Sequence, residues 1–386
     1  GLGMENPTVQ DIFHSFYLKY LDRYTPSAEQ AKVSHCIMNC KTGAYGANVS
    51  VCEDCGHLQI HYNSCRNRCC PMCQALPTEK WMDSQREDVL EAPYFHVVFT
   101  VPQELNPLIY CNQKLLYDAL YHSVSSTINE LAEDEKYLDA KVGYICILHT
   151  WGSEMNFHPH IHVILLGGGL TAKNQWRDKG EEFFFPVKVL SKLFRGKYLD
   201  ELKTLWKNKK LHFHGSSEKY RNHYAFKELI NICYEKDWIP HCKKAFNGAQ
   251  SVIHYLGKYI HRIAISNRRI IRMDENTVTY YVKDYREAGK WKALTIPGVE
   301  FIRRFLMHVP PKRFVRIRHY GLLCTRSKTK HLTLCRNLLG CRQYLSRLKN
   351  METTQILETL YGIKVSVCKC CGGHLGNPQQ RIPLRI

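Results

Sequence analysis

No apolar run in these 386 residues reaches the eighteen or so that a membrane-spanning helix needs. The first residues show no signal-peptide pattern, so a secreted protein is not expected. There is no G-x-x-x-x-G-K loop, so ATP hydrolysis is not expected either. Acidic side chains are the scarcest charged group. Asp and Glu total 35 against 54 Lys and Arg, a net charge of +19. A surplus of that size points to a polyanionic partner. Charge alone does not separate nucleic acid from an anionic membrane, but the missing span favours nucleic acid. Hydrophobic residues make up 44% and charged residues 23%, ordinary values for a folded protein long enough for two or three domains.

Cysteine, by contrast, is abundant, at 18 residues. A secreted disulfide scaffold would be short and carry a signal. This length, with cysteines at C-x-x-C spacing, favours thiolates on zinc in a reducing compartment. Cys52-Glu53-Asp54-Cys55 and Cys70-Pro71-Met72-Cys73 read as two knuckles of one zinc ribbon, because tetrahedral zinc takes four soft ligands. Cys40, His57, Cys65 and Cys69 then form a second interleaved set, with Cys36 and His61 as competitors. Arg66 and Arg68 on the same segment are candidates for phosphate contact, and equally for a solvated face. Far downstream, Cys368-Lys369-Cys370-Cys371-Gly372-Gly373-His374 could hold a further zinc with Cys335 or Cys341, although the spacing is irregular.

Between these blocks the chain alternates helical and extended signals. Residues 5–34 read as one amphipathic packing helix, with Ile12, Phe13, Phe16, Tyr17, Tyr20 and Leu21 at helical spacing. Tyr94 to Pro102 reads as a buried strand, 105–131 as helix, and 142–151 as a second strand. A short polar turn then leads into Phe157-His158-Pro159-His160-Ile161-His162-Val163-Ile164-Leu165-Leu166. The strand period of two puts His160 and His162 on one face. Neutral imidazole is the commonest protein metal ligand, so the pair is a metal half-site. If the turn centres between Glu154 and Met155, His149 faces His160 and becomes the third ligand. Glu154 and His158 are the alternatives if the turn shifts, and a one-residue slip would remove His149 from that face. A lone core histidine is the competing reading of His149. Residues 170–245 read as a helical insertion without recognisable chemistry.

Val252 to Ile260 reads as a helix, with Tyr255 and Tyr259 just over one turn apart on a shared face. Tyrosines at this spacing are usually packing. A phenol is also a weak nucleophile, with an ordinary pKa near 10. Beside a divalent ion that polarises a phosphoryl oxygen, however, it could attack a phosphodiester. Lys258, His261 and Arg262 could neutralise nearby phosphates. Beyond this helix, Thr277 to Lys283 reads as a strand and Val299 to His308 as a helix. Lys312 to Tyr320 interleaves bases with aromatics. That pattern suits a base-stacking surface and suits an ordinary amphipathic strand equally well.

From near Cys40 to about residue 325 the chain resembles the HUH-type, two-tyrosine transposases of rolling-circle insertion sequences. The resemblance rests on Cys52 through His57, Asn63 through Cys73, Val98 through Pro102, His149 through Gly152 and His158 through Gly169. It continues in Tyr255 through Tyr259, Ile263 through Asn267, Lys283 through Arg286 and Arg318 through Gly321. It implies His160 and His162 as the metal motif and Tyr255 and Tyr259 as catalytic tyrosines. It further implies an α+β fold, with a central antiparallel sheet flanked by helices and a small zinc-ribbon-like domain ahead of it. Cys69 departs from the pattern, which more often has histidine there. The expected domains are an N-terminal helical segment (1–34), a zinc-binding domain (35–80), an HUH nuclease domain (90–270, with 170–245 inserted) and a basic C-terminal region (271–386). The expected activity is nicking and joining single-stranded DNA at transposon ends and targets through 5′-phosphotyrosine intermediates. Structural Zn²⁺ and catalytic Mg²⁺ or Mn²⁺ would assist, in the bacterial cytoplasm and alongside host replication proteins. A rolling-circle replication initiator or relaxase, and a non-catalytic zinc-dependent DNA-binding protein, are the alternatives.

Overall fold

The computed structural model describes residues 3–73, 75–180, 185–246, 249–259 and 262–381, without the side chains of 75–78, 244–246, 249, 250, 258 and 259. Its centre is a five-stranded sheet in the order Ile317–Gly321, Gly143–Trp151, Phe157–Leu166, Tyr94–Thr100, His241–Phe246, with every neighbouring pair antiparallel. The three central strands are rich in β-branched and aromatic residues, which suit a pleated surface buried on both sides. One face carries Phe99, Leu148, Ile161 and Val163. They pack against Tyr117 and Leu120 of the helix Gln113–Glu133 and against Phe194 and Tyr198 of the helix Val187–Lys207. The opposite face carries Ile145, Ile147, Ile164 and Leu166. They pack against Val252, Ile253 and Leu256 of the helix Ala249–Tyr259.

Two boundaries read from the sequence are redrawn by this packing. The stretch 170–245 is not an insertion apart from the nuclease fold, since its helices complete the first core and His241–Phe246 forms a sheet edge. The sheet also runs across the boundary at 270, because Ile317–Gly321 pairs with Gly143–Ile147.

The expected helix over 5–34 is two helices, Val9–Leu21 and Ala28–Asn39. The break falls at Tyr24-Thr25-Pro26-Ser27, where proline disfavours helical geometry in the residue before it. Ser27 then opens the second helix with a capping box to Gln30. The first packs on the helix Gly298–Leu306 and on the second, and both contribute to one core with a four-stranded sheet of Met4–Glu5, Ile270–Met273, Thr277–Asp284 and Lys290–Pro297. The approach is close at Gly298, where a Cβ would stand 2.4 Å from the Phe16 ring.

A third unit is the small sheet of Ala47–Val51 between Leu58–Tyr62 and Gln379–Arg381, so the far end of the chain returns to the cysteine block. No helix among the described residues is long and apolar enough to cross a membrane.

Candidate active site and metal centres

The hairpin that crosses the sheet centre fixes the histidines. His149 pairs directly with His160, and Ile147 with His162. On the other side of the same strand, Thr100 pairs with His160 and Val98 with His162. His149, His160 and His162 therefore share one sheet face. Their ligating nitrogens lie within 4.8 Å of one another. Neither Glu154 nor His158 joins that cluster.

The ring tautomers are constrained by neighbours. His160 Nδ1–H donates to the carbonyl of His158 at 2.6 Å, which leaves Nε2 with its lone pair free. Burial, ahead of the charges of neighbouring groups, holds His160 down to about 3 and His162 well below the ordinary histidine range. The imidazoles are thus neutral near pH 7, the form that ligates a metal. His149 is buried and stacks on Trp151 with ring centroids 4.6 Å apart.

One more histidine belongs to this site, and the sequence reading passed over it. His96 lies on the same face, across from Ile164, and its Nε2 is 2.9 Å from His162 Nδ1. Its other nitrogen, Nδ1, is hydrogen-bonded to the Tyr255 hydroxyl. Burial, then the charge of Lys243, pushes His96 down to about 4. An unbroken chain therefore runs from the three-histidine cluster through His96 to a phenol. Lys243 pairs with His96 on the sheet edge, and its ammonium stands 5.9 Å from the Tyr255 ring centre. The available signal for His96 was a lone imidazole inside the apolar strand Tyr94–Thr100. Lys243 had no such signal, because nothing local marks 241–246 as a strand beside the histidines.

Tyr255 is half-buried on the helix Ala249–Tyr259. The helix is held over the sheet by Val252, Ile253 and Leu256. Tyr259 closes it, but the side chains of Tyr259 and Lys258 lie outside the described residues, as do Ile260 and His261. Of the expected phosphate contacts, Arg262 is exposed beside the histidines and is among the charges that depress His160 and His162. Arg66 is exposed as well, whereas Arg68 donates to the carbonyls of Phe314 at 2.6 Å and Pro311 at 3.5 Å. Arg68, Arg262 and Arg316 line a cleft together with Trp151 and Thr150, next to His149.

The cysteines converge in two groups, and their pairing corrects the sequence reading. Cys70 and Cys73 meet Cys40 and Cys65, while Cys52 and Cys55 meet Cys368 and Cys371. In the first group the Cys40 and Cys65 sulfurs stand 3.5 and 3.7 Å from that of Cys73. The two N-terminal knuckles thus serve different sites, and knuckle spacing alone does not say which knuckle finds which partner. Cys69 and His57 join neither group, nor do Cys36, His61, Cys335 and Cys341. Cys69 instead lines the arginine cleft, where burial pushes its thiol up to about 11.

The comparisons with known proteins fall on these same parts. Residues 12–101, with the first cysteine group, match the IS91 model described as "Transposase zinc-binding domain". Residues 143–331, with the histidine hairpin and Tyr255, match the family described as "Putative transposase". The two family matches together make this a transposase by class, and DNA is the substrate of that class. The chain belongs to this transposase family. It is 38% identical over 341 residues to the "Putative transposase y4qJ" of Sinorhizobium fredii, covering 88% of this chain and 86% of that one. It is 28% identical over 299 residues to the transposase for insertion sequence element IS801 of Pseudomonas savastanoi pv. phaseolicola, covering 75% and 69% respectively. Among solved structures, the conjugative relaxase TrwC in complex with oriT DNA aligns with 67% of this chain and 96% of its own. The identity is 13% and the TM-score 0.26, too loose a superposition to carry an argument.

Proposed function

We propose that this transposase cuts and rejoins single-stranded DNA, with Tyr255 as a nucleophile at an HUH-type metal site. The observation that carries the reading is the Tyr255–His96–His162 chain ending at the three-histidine cluster. His149, His160 and His162 would hold one divalent ion, which when bound polarises the scissile phosphate. An all-imidazole donor set suits Mn²⁺ better than Mg²⁺, which prefers oxygen ligands.

Everything else follows from the chain's own atoms. A His162 that offers Nε2 to an ion carries its proton on Nδ1 and donates it to His96 Nε2. His96 then carries its proton on Nδ1 and donates it to the Tyr255 hydroxyl oxygen. The phenol oxygen is thereby oriented as an acceptor, and the His96 N–H and the nearby Lys243 ammonium favour the negative charge that develops on it. Attack forms a bond from the tyrosine oxygen to phosphorus and breaks the bond from phosphorus to the 3′ oxygen. The phenol proton leaves to solvent, and the departing 3′ oxygen takes one up. The phosphotyrosine ester keeps the bond energy, so a later 3′-hydroxyl can reverse the step without ATP. Tyr259 would supply a second such ester for strand exchange. Arg262 and the arginine cleft would guide the phosphates of the strand, in the bacterial cytoplasm and with host replication proteins supplying single strands.

Labelled single-stranded DNA from an element end, incubated with protein and Mn²⁺ and resolved on a denaturing gel, tests this. The expected product is a covalent protein–DNA band that EDTA prevents. Shifted but uncleaved DNA with both Mn²⁺ and Mg²⁺ would favour a binding-only protein.

A further inference from the structure

We propose that Cys52, Cys55, Cys368 and Cys371 form a second structural zinc site whose halves come from opposite ends of the chain. The sulfurs of Cys52 and Cys371 stand 3.5 Å apart, and those of Cys55 and Cys368 3.8 Å. All four lie within 4.8 Å of one another. Four thiolates at about 2.3 Å from a tetrahedral zinc would be separated by roughly 3.8 Å. A disulfide would instead bring each pair to about 2.05 Å.

The two halves are built alike. In each C-x-x-C-G turn the glycine has a left-handed backbone, with φ +73° at Gly56 and +75° at Gly372. Each glycine N–H closes the turn on the carbonyl of its first cysteine, at 3.0 Å in Gly56 to Cys52 and 2.9 Å in Gly372 to Cys368. Backbone N–H groups also point at the sulfurs, from Cys55 to Cys52 at 3.4 Å, Cys370 to Cys368 at 3.3 Å and Gly373 to Cys371 at 3.4 Å. Such donors stabilise thiolates. Two matching knuckles face each other across one point although 313 residues separate Cys55 from Cys368.

The surroundings explain why an ion is needed. Among the described residues the core here is Cys52, Cys368 and Leu375. The ladder is short, comprising the Cys52–Leu375 bridge and three pairs between Gln379–Arg381 and Ala47–Val49. So small a unit is held by metal or disulfide rather than by apolar burial. Upstream, the tail is moored separately, since Tyr344 and the Leu348 amide bind the Asp83 carboxylate. The zinc module would therefore be complete only when the C-terminal knuckle has docked.

Metal counting on the full-length protein tests the site independently of DNA cleavage, so its failure and that of the nuclease reading are distinguishable. The H160A/H162A background removes any zinc held by the histidines. In that background, plasma mass spectrometry should find two zinc ions per chain, falling to one with C368S/C371S. C371H, which keeps a zinc-binding side chain, should restore two. C370S, which alters the exposed cysteine of the same turn, should leave two. Trypsin should release the tail of the C368S/C371S protein and spare that of C371H. An unchanged count in C368S/C371S overturns the proposal. So does an equal loss in C370S, or thiols of the four cysteines that resist alkylation until a reductant breaks a disulfide.

Discussion

The histidine cluster and the split cysteine cluster hold their ligands by opposite means. The three imidazoles sit on alternate rungs of one hairpin at the sheet centre, between two buried cores. Backbone register places them, with or without an ion. The sulfurs of Cys52, Cys55, Cys368 and Cys371 rest on turns around a core of few buried residues, so there a bound ion would itself be the core. Metal should therefore matter for chemistry at the first site and for folding at the second.

The largest effect expected from that contrast is chemical. Tyr255→Phe with Tyr259→Phe should abolish covalent DNA attachment while leaving the melting temperature and DNA binding close to wild type. Gel assays and thermal melts together check this, and unchanged covalent product in the double variant would sink the mechanism. Next comes His96→Ala, which leaves all three imidazoles in place but removes the link from His162 to Tyr255. Partners of this kind are worth roughly 10–100-fold, so the cleavage rate should fall by about that much. His96→Gln, which can both donate and accept, should recover part of it.

The site was legible where its parts were near in sequence. His149, His160 and His162 lie within one hairpin, so counting from the turn gives their register. Tyr255 stood out by its helical spacing from Tyr259. His96 was invisible as a partner because nothing local says which strand lies beside the histidines. The cysteine pairing failed for a related reason. A knuckle offers two ligands and no address, and the partner of Cys52 and Cys55 lies more than three hundred residues away. Pro26 and Ser27 carried the local signal that breaks the expected helix over 5–34, and the reading of one helix passed over it, whereas Ile317–Gly321 joined the sheet through pairing alone.

Two smaller effects sharpen the contrast by probing the rigid side. Gly298→Ala forces a methyl into the Phe16 ring. It should cost about 1–3 kcal/mol in urea unfolding, the usual range for overpacking, with cleavage at low temperature retained. His308 is buried, 2.7 Å from the Met155 carbonyl and 3.0 Å from the Thr150 hydroxyl, and burial holds it down to about 4. Its unfolded pKa is near 6.5. Between those values only the unfolded state takes the proton, so stability is full above about pH 6.5 and falls as pH drops towards 4. The slope is at most about 1.4 kcal/mol per pH unit. Urea midpoints across that window should be less steep in His308→Gln than in wild type.

The most direct test of the central claim is peptide mapping of the trapped adduct. Protein reacted with single-stranded element-end DNA and Mn²⁺ would be digested with nuclease and protease and sequenced by mass spectrometry. The account predicts a 5′-phosphonucleotide on the peptide that carries Tyr255, with the DNA's other fragment ending in a 3′-hydroxyl. Adducts confined to residues outside the helix Ala249–Tyr259, or a fragment ending in a 3′-phosphate, would contradict it.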